Sequence, residues 1–183
     1  MPEERSADAM SLQASRLCTA CGLCCNGAMF SRAKAAPEEV DRIGSYGLDV
    51  IERTDGAWFK LPCSLLEGGS CTIYADRFSV CRGFSCILLK RLRGGEIGLE
   101  EGLELVVTAK EMIAGLGERD PSAATLEGRA RIREAGPGGE AKMTNARLHL
   151  DTVVLDLFLD KHFRNEKVMT DDSPDRSAEG ATG

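Results

Sequence analysis

Apolar positions in the second half of the chain recur at the spacing of an α-helix. One apolar stripe in residues 98–117 predicts an amphipathic helix. Its members are Leu99, Leu103, Val106, Lys110, Ile113 and Leu116. Asp120-Pro121 is typical of a helix start and Gly136-Pro137 of a helix end, so a second helix of weaker amphipathicity is predicted for residues 121–135.

A third helix is predicted for residues 145–163, and it is apolar on two sides. The broad apolar face contains Leu150, Val153, Val154, Leu157 and Phe158; Leu148, Leu155 and Leu159 lie roughly opposite; His149, Thr152, Asp156 and Asp160 form a narrow polar stripe. A helix of this kind is buried between layers or shared with a partner. The segment is therefore expected either to be buried within the chain's own fold or to contact another protein or a second copy of the chain.

The first half of the chain predicts shorter elements. Pro37 followed by acidic residues is typical of a helix start and predicts a helix over 37–43. Asp55-Gly56 between two apolar runs predicts a small β-hairpin. Residues 1–15 are polar and the residues from Asp171 onward lack core-forming side chains, so residues 1–15 and 166–183 are predicted to be disordered.

These patterns predict an α+β fold that is mostly α. A loop-rich, metal-stapled cysteine module over residues 16–93 is expected to pack on a helical region over residues 94–165, and the two together form one domain.

Cysteine is the informative part of the composition. The chain has eight cysteines, and all of them lie between Cys18 and Cys86. Such a density is typical of disulfides, metal ligands or redox thiols. The first residues contain no apolar run typical of a secretory signal, and no stretch approaches the roughly 20 apolar residues of a membrane span. A cytoplasmic location without membrane contact follows, and it favours metal over disulfides.

The charge of the chain disfavours nucleic acid as a partner. There are 29 acidic and 23 basic residues, a formal net charge of -6, and metal-bound thiolates would make the balance more negative. Basic runs occur at residues 90–93 and 129–133, but their helical spacing is typical of solvated faces.

The densest motif is Cys18-Thr-Ala-Cys21-Gly22-Leu-Cys24-Cys25. Two thiolates separated by two residues can bind one ion, and glycine after the second allows a positive φ at which amides point toward sulfur. Cys18, Cys21 and Cys24 have the spacing of the first three ligands of a ferredoxin-type run, whose fourth ligand would fall at Ala28. The fourth thiolate must therefore come from Cys25 or from the later cysteines.

Adjacent residues tend to point apart, so Cys24 and Cys25 are expected to serve different sites, or one of them is a supporting or redox thiol. Eight cysteines supply at most two four-ligand sites unless thiolates bridge metals. Two divalent ions with eight thiolates would carry about four negative charges. Lys60, Arg77 and Arg82 are placed in the sequence to supply the cations.

The complete set of motifs resembles the CxxCxxCC cysteine-cluster family, also called YkgJ-like, which is described as a zinc- or iron-chelating domain. The motifs are Cys18-x2-Cys21-x2-Cys24-Cys25, Pro62-Cys63, Cys71-Thr72-Ile73-Tyr74-x2-Arg77 and Cys81-Arg82-x-Phe84-x-Cys86. The family usually has proline where Phe78 stands in this chain. The resemblance implies that all eight cysteines are metal ligands: Cys18, Cys21, Cys24, Cys25, Cys63, Cys71, Cys81 and Cys86.

The leading hypothesis is a cytoplasmic metal-binding protein that holds zinc or iron, including an iron-sulfur cluster, through up to eight thiolates. Some larger relatives in the family are lysine methylases acting on flagellin, which implies an alternative: an iron-sulfur enzyme, redox or protein-modifying, with a pocket lined by Trp58, Tyr74 or Phe84. This chain lacks a glycine-rich nucleotide loop after a strand, so an enzyme is less favoured. A metal-stabilised interaction module is the third alternative. His149 and His162 share no ligand face and are expected at the surface or at a helix end.

Overall fold

The computed structural model describes residues 2–136 and 142–164, with only the backbone described for residues 2–8 and 142–144. The helices are α1 Pro2–Cys21, α2 Val40–Ser45, α3 Ser79–Gly83, α4 Ile87–Arg93, α5 Leu99–Gly117, α6 Leu126–Ala135 and α7 Lys142–His162. The strands are β1 Arg32–Lys34, β2 Val50–Arg53, β3 Gly56–Lys60, β4 Leu66–Glu67 and β5 Ser70–Cys71, and Pro37–Glu39 and Pro121–Ala124 form 3-10 turns. The predicted fold class, α+β and mostly α, is confirmed. The predicted tail 166–183 lies outside the described residues.

The main core is built around α5, the helix that the apolar stripe predicts. This helix packs against α1, α4 and α7. Val106 and Leu116 are buried in the shared core. At Gly102 the backbone of α5 comes so close to α1 that an added Cβ would lie 3.2 Å from Leu17 Cδ1. None of the described helices is both long enough and apolar enough to cross a membrane.

Helix α1 occupies much of the segment for which a disordered N-terminus, residues 1–15, is predicted. The structure differs there because Met10, Ala14 and Leu17 recur at helical spacing and pack into the main core. Two of these three are small or flexible side chains, so the stripe is weak in the sequence. The packing of α1 positions two of the cysteines, because Cys18 and Cys21 lie in its last turn.

The predicted helix over 121–135 is divided. Residues 121–124 form a 3-10 turn, and Thr125, in an extended conformation, begins α6 by accepting a hydrogen bond from the Gly128 N–H at 3.1 Å. An added Cβ at Gly128 would lie 1.8 Å from the Ser122 carbonyl oxygen, so the two segments approach too closely for any side chain. Asp120 caps the turn as predicted, accepting from the Ser122 N–H at 2.9 Å.

A smaller core lies under a three-stranded antiparallel sheet. The strand order is β1-β3-β2, and the predicted hairpin at Asp55-Gly56 joins β2 to β3. The predicted helix start at Pro37 is a 3-10 turn followed by α2. Phe78, which replaces the usual family proline, is 2% exposed in this core, and its ring contacts those of Phe59 and Tyr46 edge-on.

Helix α7 is buried on one side. Leu155 and Leu159 are fully buried, whereas Leu150, Val154 and Leu157 of the broad apolar face are 56%, 46% and 63% exposed. Part of the polar stripe faces the interior: Thr152 is fully buried, and the Asp156 carboxylate accepts hydrogen bonds from the buried side chains of Arg129 and Arg164.

Candidate metal centre

All eight cysteines line one cavity of about 490 Å3. They lie in the described part of the chain, are partly buried and carry free thiols. Separate elements bring them together: the end of α1, the loop after it, the segment after β3, strand β5, helix α3 and the residue before α4. The cavity therefore forms only when tertiary packing brings these separate segments together.

The thiols are divided here into two sets by the largest electrostatic effects between sulfurs, although Cys25 also raises the pKa of Cys24, and Cys21 that of Cys25. The first thiol set consists of Cys18, Cys21, Cys24 and Cys86. The second thiol set consists of Cys25, Cys63, Cys71 and Cys81.

In the first thiol set, burial raises the pKa of Cys21 to about 12, and the neighbouring Cys86 and Cys18 contribute to the rise. Burial is also the largest cause of the raised pKa of Cys24, and Cys21 and Cys86 make the next largest contributions to the rise. Cys86 therefore acts electrostatically on Cys21 and Cys24 and is itself affected by Cys18, the three cysteines of the ferredoxin-type spacing. Ala28, at the position where the spacing would place that ligand, is fully buried.

In the second thiol set, burial raises the pKa of Cys25 to about 12, and the next contributions come from Cys81, Cys63 and Cys71. Burial raises the pKa of Cys81 to about 11, with Cys63 and Cys71 adding to the effect. The Cys63 N–H donates to the Cys25 carbonyl oxygen at 2.7 Å, which joins two members of the set through the backbone. After burial, the largest contributions to the raised pKa come from Cys21 and Cys86 for Cys24, and from Cys81 and Cys63 for Cys25. That the adjacent Cys24 and Cys25 serve different sites stays a prediction.

Backbone amides point at several of the sulfurs. N–H groups of Leu23 and Leu65 donate to Cys21 and Cys63, each from two residues further along the chain. The Cys86 sulfur accepts from the Leu89 N–H at 3.3 Å and caps α4. Gly22 has a φ of 67°, which confirms the predicted positive φ. Hydrogen bonds of this kind favour the thiolate, the form that binds metal.

Cations act on both thiol sets. The charge of Arg77 lowers the pKa of Cys18 in the first set and of Cys81 in the second, against the larger effect of burial. Arg82 lines the cavity, as predicted, and its Nη1 donates to the Arg77 carbonyl at 2.6 Å. Lys60 is exposed on β3 and does not line the cavity, so that part of the prediction is wrong.

Two further cations were not predicted from the sequence. Arg93 acts on Cys18, and Lys110 acts on Cys21 while its Nζ donates to the Ala20 carbonyl at 2.6 Å. In the sequence, Lys110 is the one charged residue in the apolar stripe of α5, which is an unusual position for a lysine. Among the residues that the structure describes, no Asp or Glu lines the cavity.

Aromatic side chains complete the lining. The hydroxyl of Tyr74 is hydrogen-bonded to Cys18, and the guanidinium of Arg77 lies 4.0 Å from the centre of the Tyr74 ring. Trp58 and Phe84 also line the cavity. Neither His149 nor His162 is among the described lining residues. The two residues are therefore separated from the thiols.

The chemistry of these donors fits a thiophilic metal. Thiolates bind zinc, copper(I) and iron-sulfur clusters in preference to magnesium or calcium. The side chains have not closed around a point: within residues 9–136 and 145–164, no three His, Cys, Asp or Glu side chains form a ready-made ligand group.

Comparison with known proteins agrees with this donor set. The model of the CxxCxxCC family, with the description "Putative zinc- or iron-chelating domain", matches residues 17–99. No curated protein and no solved structure matches the chain. The matched segment includes all eight cysteines and ends at the first residue of α5. Residues 17–99, a little under half of the chain, therefore match the CxxCxxCC family of zinc- or iron-chelating domains.

Proposed function

We propose that the protein is a cytoplasmic metal-binding protein with two sites of four thiolates each. The family assignment supports chelation of zinc or iron. The observation that supports the two-site proposal is the presence of eight thiols in one cavity, with the largest electrostatic effects within a set of four that includes Cys21 and a set of four that includes Cys25. Four thiolates are the complete ligand set of a structural zinc ion or of a cubane iron-sulfur cluster.

The surroundings support a negatively charged metal-thiolate centre. Two divalent ions with eight thiolates leave about four negative charges, which favour nearby cations and N–H donors. Arg77, Arg93 and Lys110 supply the cations, and the cavity has no acidic residue among its described lining. Bound metal would add its free energy to folding, on the order of 10 kcal/mol for a structural zinc.

The first experiment is the metal and acid-labile sulfide content of protein purified without oxygen. The proposal expects two zinc ions per chain, or iron and sulfide in amounts that correspond to two clusters. A chain with no stoichiometric metal would refute it. Sulfide and colour distinguish an iron-sulfur centre from zinc, a distinction that thiolate ligands alone do not make.

Matched serine variants test the division into two sets. Cys21→Ser is expected to lose the metal of the first thiol set and to retain that of the second, and Cys63→Ser is expected to do the reverse. Each variant is the control for the other, because both lose one partly buried thiol that accepts a backbone hydrogen bond. Loss of all metal in both variants would show a single shared site instead.

The size of the cavity supports a second candidate, an iron-sulfur enzyme. A volume of about 490 Å3 lies in the range of ligand pockets, and Trp58, Tyr74 and Phe84 all contribute to its lining. This candidate requires iron and sulfide in the purified protein. A colourless protein that contains only zinc would eliminate it.

A further inference from the structure

The strongest polar cluster outside the cavity surrounds the guanidinium of Arg129. The side chain of Arg129 is fully buried, although its basic run predicts a solvated face. All five of its N–H groups have acceptors: Nε and Nη2 donate to Asp156 Oδ1 at 3.0 and 2.9 Å, and Nη1 donates to the carbonyls of Ala123 and Ala124. The fifth hydrogen bond runs from Nη2 to the Ala28 carbonyl oxygen at 2.6 Å.

Ala28 ends the loop that carries the adjacent cysteines. Helix α6 also binds the residue before Ala28, because the N–H of Leu126, its first residue, donates to the Gly27 carbonyl at 2.8 Å. Within the loop, the Asn26 side chain accepts from the Ala28 N–H at 2.9 Å. The carbonyls of residues 27 and 28 are therefore bound by groups from α6, only two and three residues after Cys25.

The end of α7 reinforces this arrangement. Arg164 donates from Nη2 to the Ala28 carbonyl at 3.3 Å and to Asp156 at 2.9 Å. The next residue back along the chain, Phe163, accepts from the Ile87 N–H at 3.0 Å, and Ile87 follows Cys86 directly. The helices after residue 120 thus contact the loop with Cys24 and Cys25 as well as the turn with Cys86.

We infer that Arg129, oriented by Asp156, is a positioning residue for both thiol sets through the Ala28 carbonyl. The inference rests on the proposed two-site function. Cys24 belongs to the first thiol set and Cys25 to the second, so movement of their loop displaces one thiol of each. Arg129 lies outside residues 17–99, which means that the segment matched by the family does not contain all the groups that hold its cysteines in place.

The test compares Arg129→Gln with Arg133→Gln. Arg133 is the matched control because it also donates to Asp156, while none of its hydrogen bonds reaches Ala28. Hydrogen exchange of the amides of residues 24–30 is measured in metal-free protein. Arg129→Gln is expected to raise these rates roughly tenfold or more, because a charge-assisted bond to the loop is lost, and Arg133→Gln is expected to leave them near the wild-type values.

A second readout uses Co2+ as the probe, followed by its thiolate charge-transfer absorption. Arg129→Gln is expected to lower Co2+ affinity at both sets by roughly 10- to 100-fold, as is typical when a group that orients metal ligands is lost. Wild-type protein that binds no Co2+, zinc or iron would refute the proposed function, whereas the exchange rates would still test the positioning role.

The Arg129→Lys variant distinguishes a loss of loop positioning from simple unfolding of the protein. Lysine keeps the positive charge near Asp156 but lacks the planar fork that reaches the carboxylate and the Ala28 carbonyl together. A folded Arg129→Lys protein with faster exchange in residues 24–30 and weaker Co2+ binding supports the inference. Wild-type exchange rates and Co2+ affinity in a folded Arg129→Lys protein would overturn it.

Discussion

Replacement of Asp156 by asparagine is expected to destabilise the protein strongly at neutral pH. The carboxylate accepts hydrogen bonds from Arg129, Arg133 and Arg164, and its own side chain is 14% exposed. Asp156→Asn leaves the fully buried Arg129 without its anionic partner. Removing one partner of a buried ion pair typically lowers the free energy of unfolding by about 3–5 kcal/mol.

That loss is large compared with the total stability of a domain, which is about 5–15 kcal/mol. At about 2–4 °C per kcal/mol for a chain of this size, the melting temperature should fall by roughly 6–20 °C. The assay is thermal and urea unfolding followed by circular dichroism, in metal-loaded protein at one fixed metal concentration. The matched control is Asp151→Asn, another carboxylate of α7 that accepts from two arginines, Arg119 and Arg147.

The control should cost less than about 1 kcal/mol, because its ion pairs are more exposed. The difference should also depend on pH. Burial by itself raises the pKa of Asp156, but hydrogen bonds and charge from Arg129, with those of Arg164, outweigh it and hold the pKa below 3.8. The contribution of Asp156 is therefore present above about pH 4 and is lost as the pH falls through the lowered pKa. Equal stabilities for the two variants, or a difference that persists unchanged at low pH, would refute this reasoning.

Three smaller changes test the surroundings of the thiols. Gly22→Ala is expected to weaken metal binding in the first thiol set, because the residue has a φ of 67° and an added Cβ would lie 3.0 Å from a backbone oxygen of Gly69; unchanged Co2+ affinity would contradict this. Tyr74→Phe removes a hydrogen bond to Cys18 and is expected to shift the charge-transfer absorption of the bound metal, unlike the control Tyr46→Phe. Trp58 is the one tryptophan of the sequence and lines the cavity, so its fluorescence is expected to change on Co2+ addition; constant emission during stoichiometric binding would contradict the placement.

The parts of the fold that the sequence predicts well have strong local signals. Helix α5 follows from large apolar residues at helical spacing, and the hairpin between β2 and β3 follows from Asp55-Gly56. Helix α1 has only Met10, Ala14 and Leu17 to mark its buried side, and small side chains give a weak pattern. The division of residues 121–135 depends on the contact between Gly128 and the Ser122 carbonyl, which is a tertiary constraint.

The candidate site also combines features that local spacing predicts with features that depend on tertiary contacts. Local spacing predicts that Cys18, Cys21 and Cys24 form a group and that Cys24 and Cys25 serve different sites. The placement of Cys86 in the first thiol set depends on α4 packing against α1 and α7, which no spacing rule contains. The basic run of Arg129 has the pattern of an exposed helix face, and its burial follows from Asp156 on another helix.

The adjacency of Cys24 and Cys25 limits how far apart the two proposed metals can be. Consecutive Cα atoms are about 3.8 Å apart, each sulfur lies roughly 3 Å from its Cα, and a metal lies about 2.3 Å from a thiolate, so the two centres must lie within about 14 Å of each other. In a protein loaded with two iron-sulfur clusters, such proximity would couple the unpaired spins of the reduced clusters and allow an electron to pass directly between them. In a protein loaded with two zinc ions, the same proximity would mean that the charge of each metal site changes the electrostatic potential at the other.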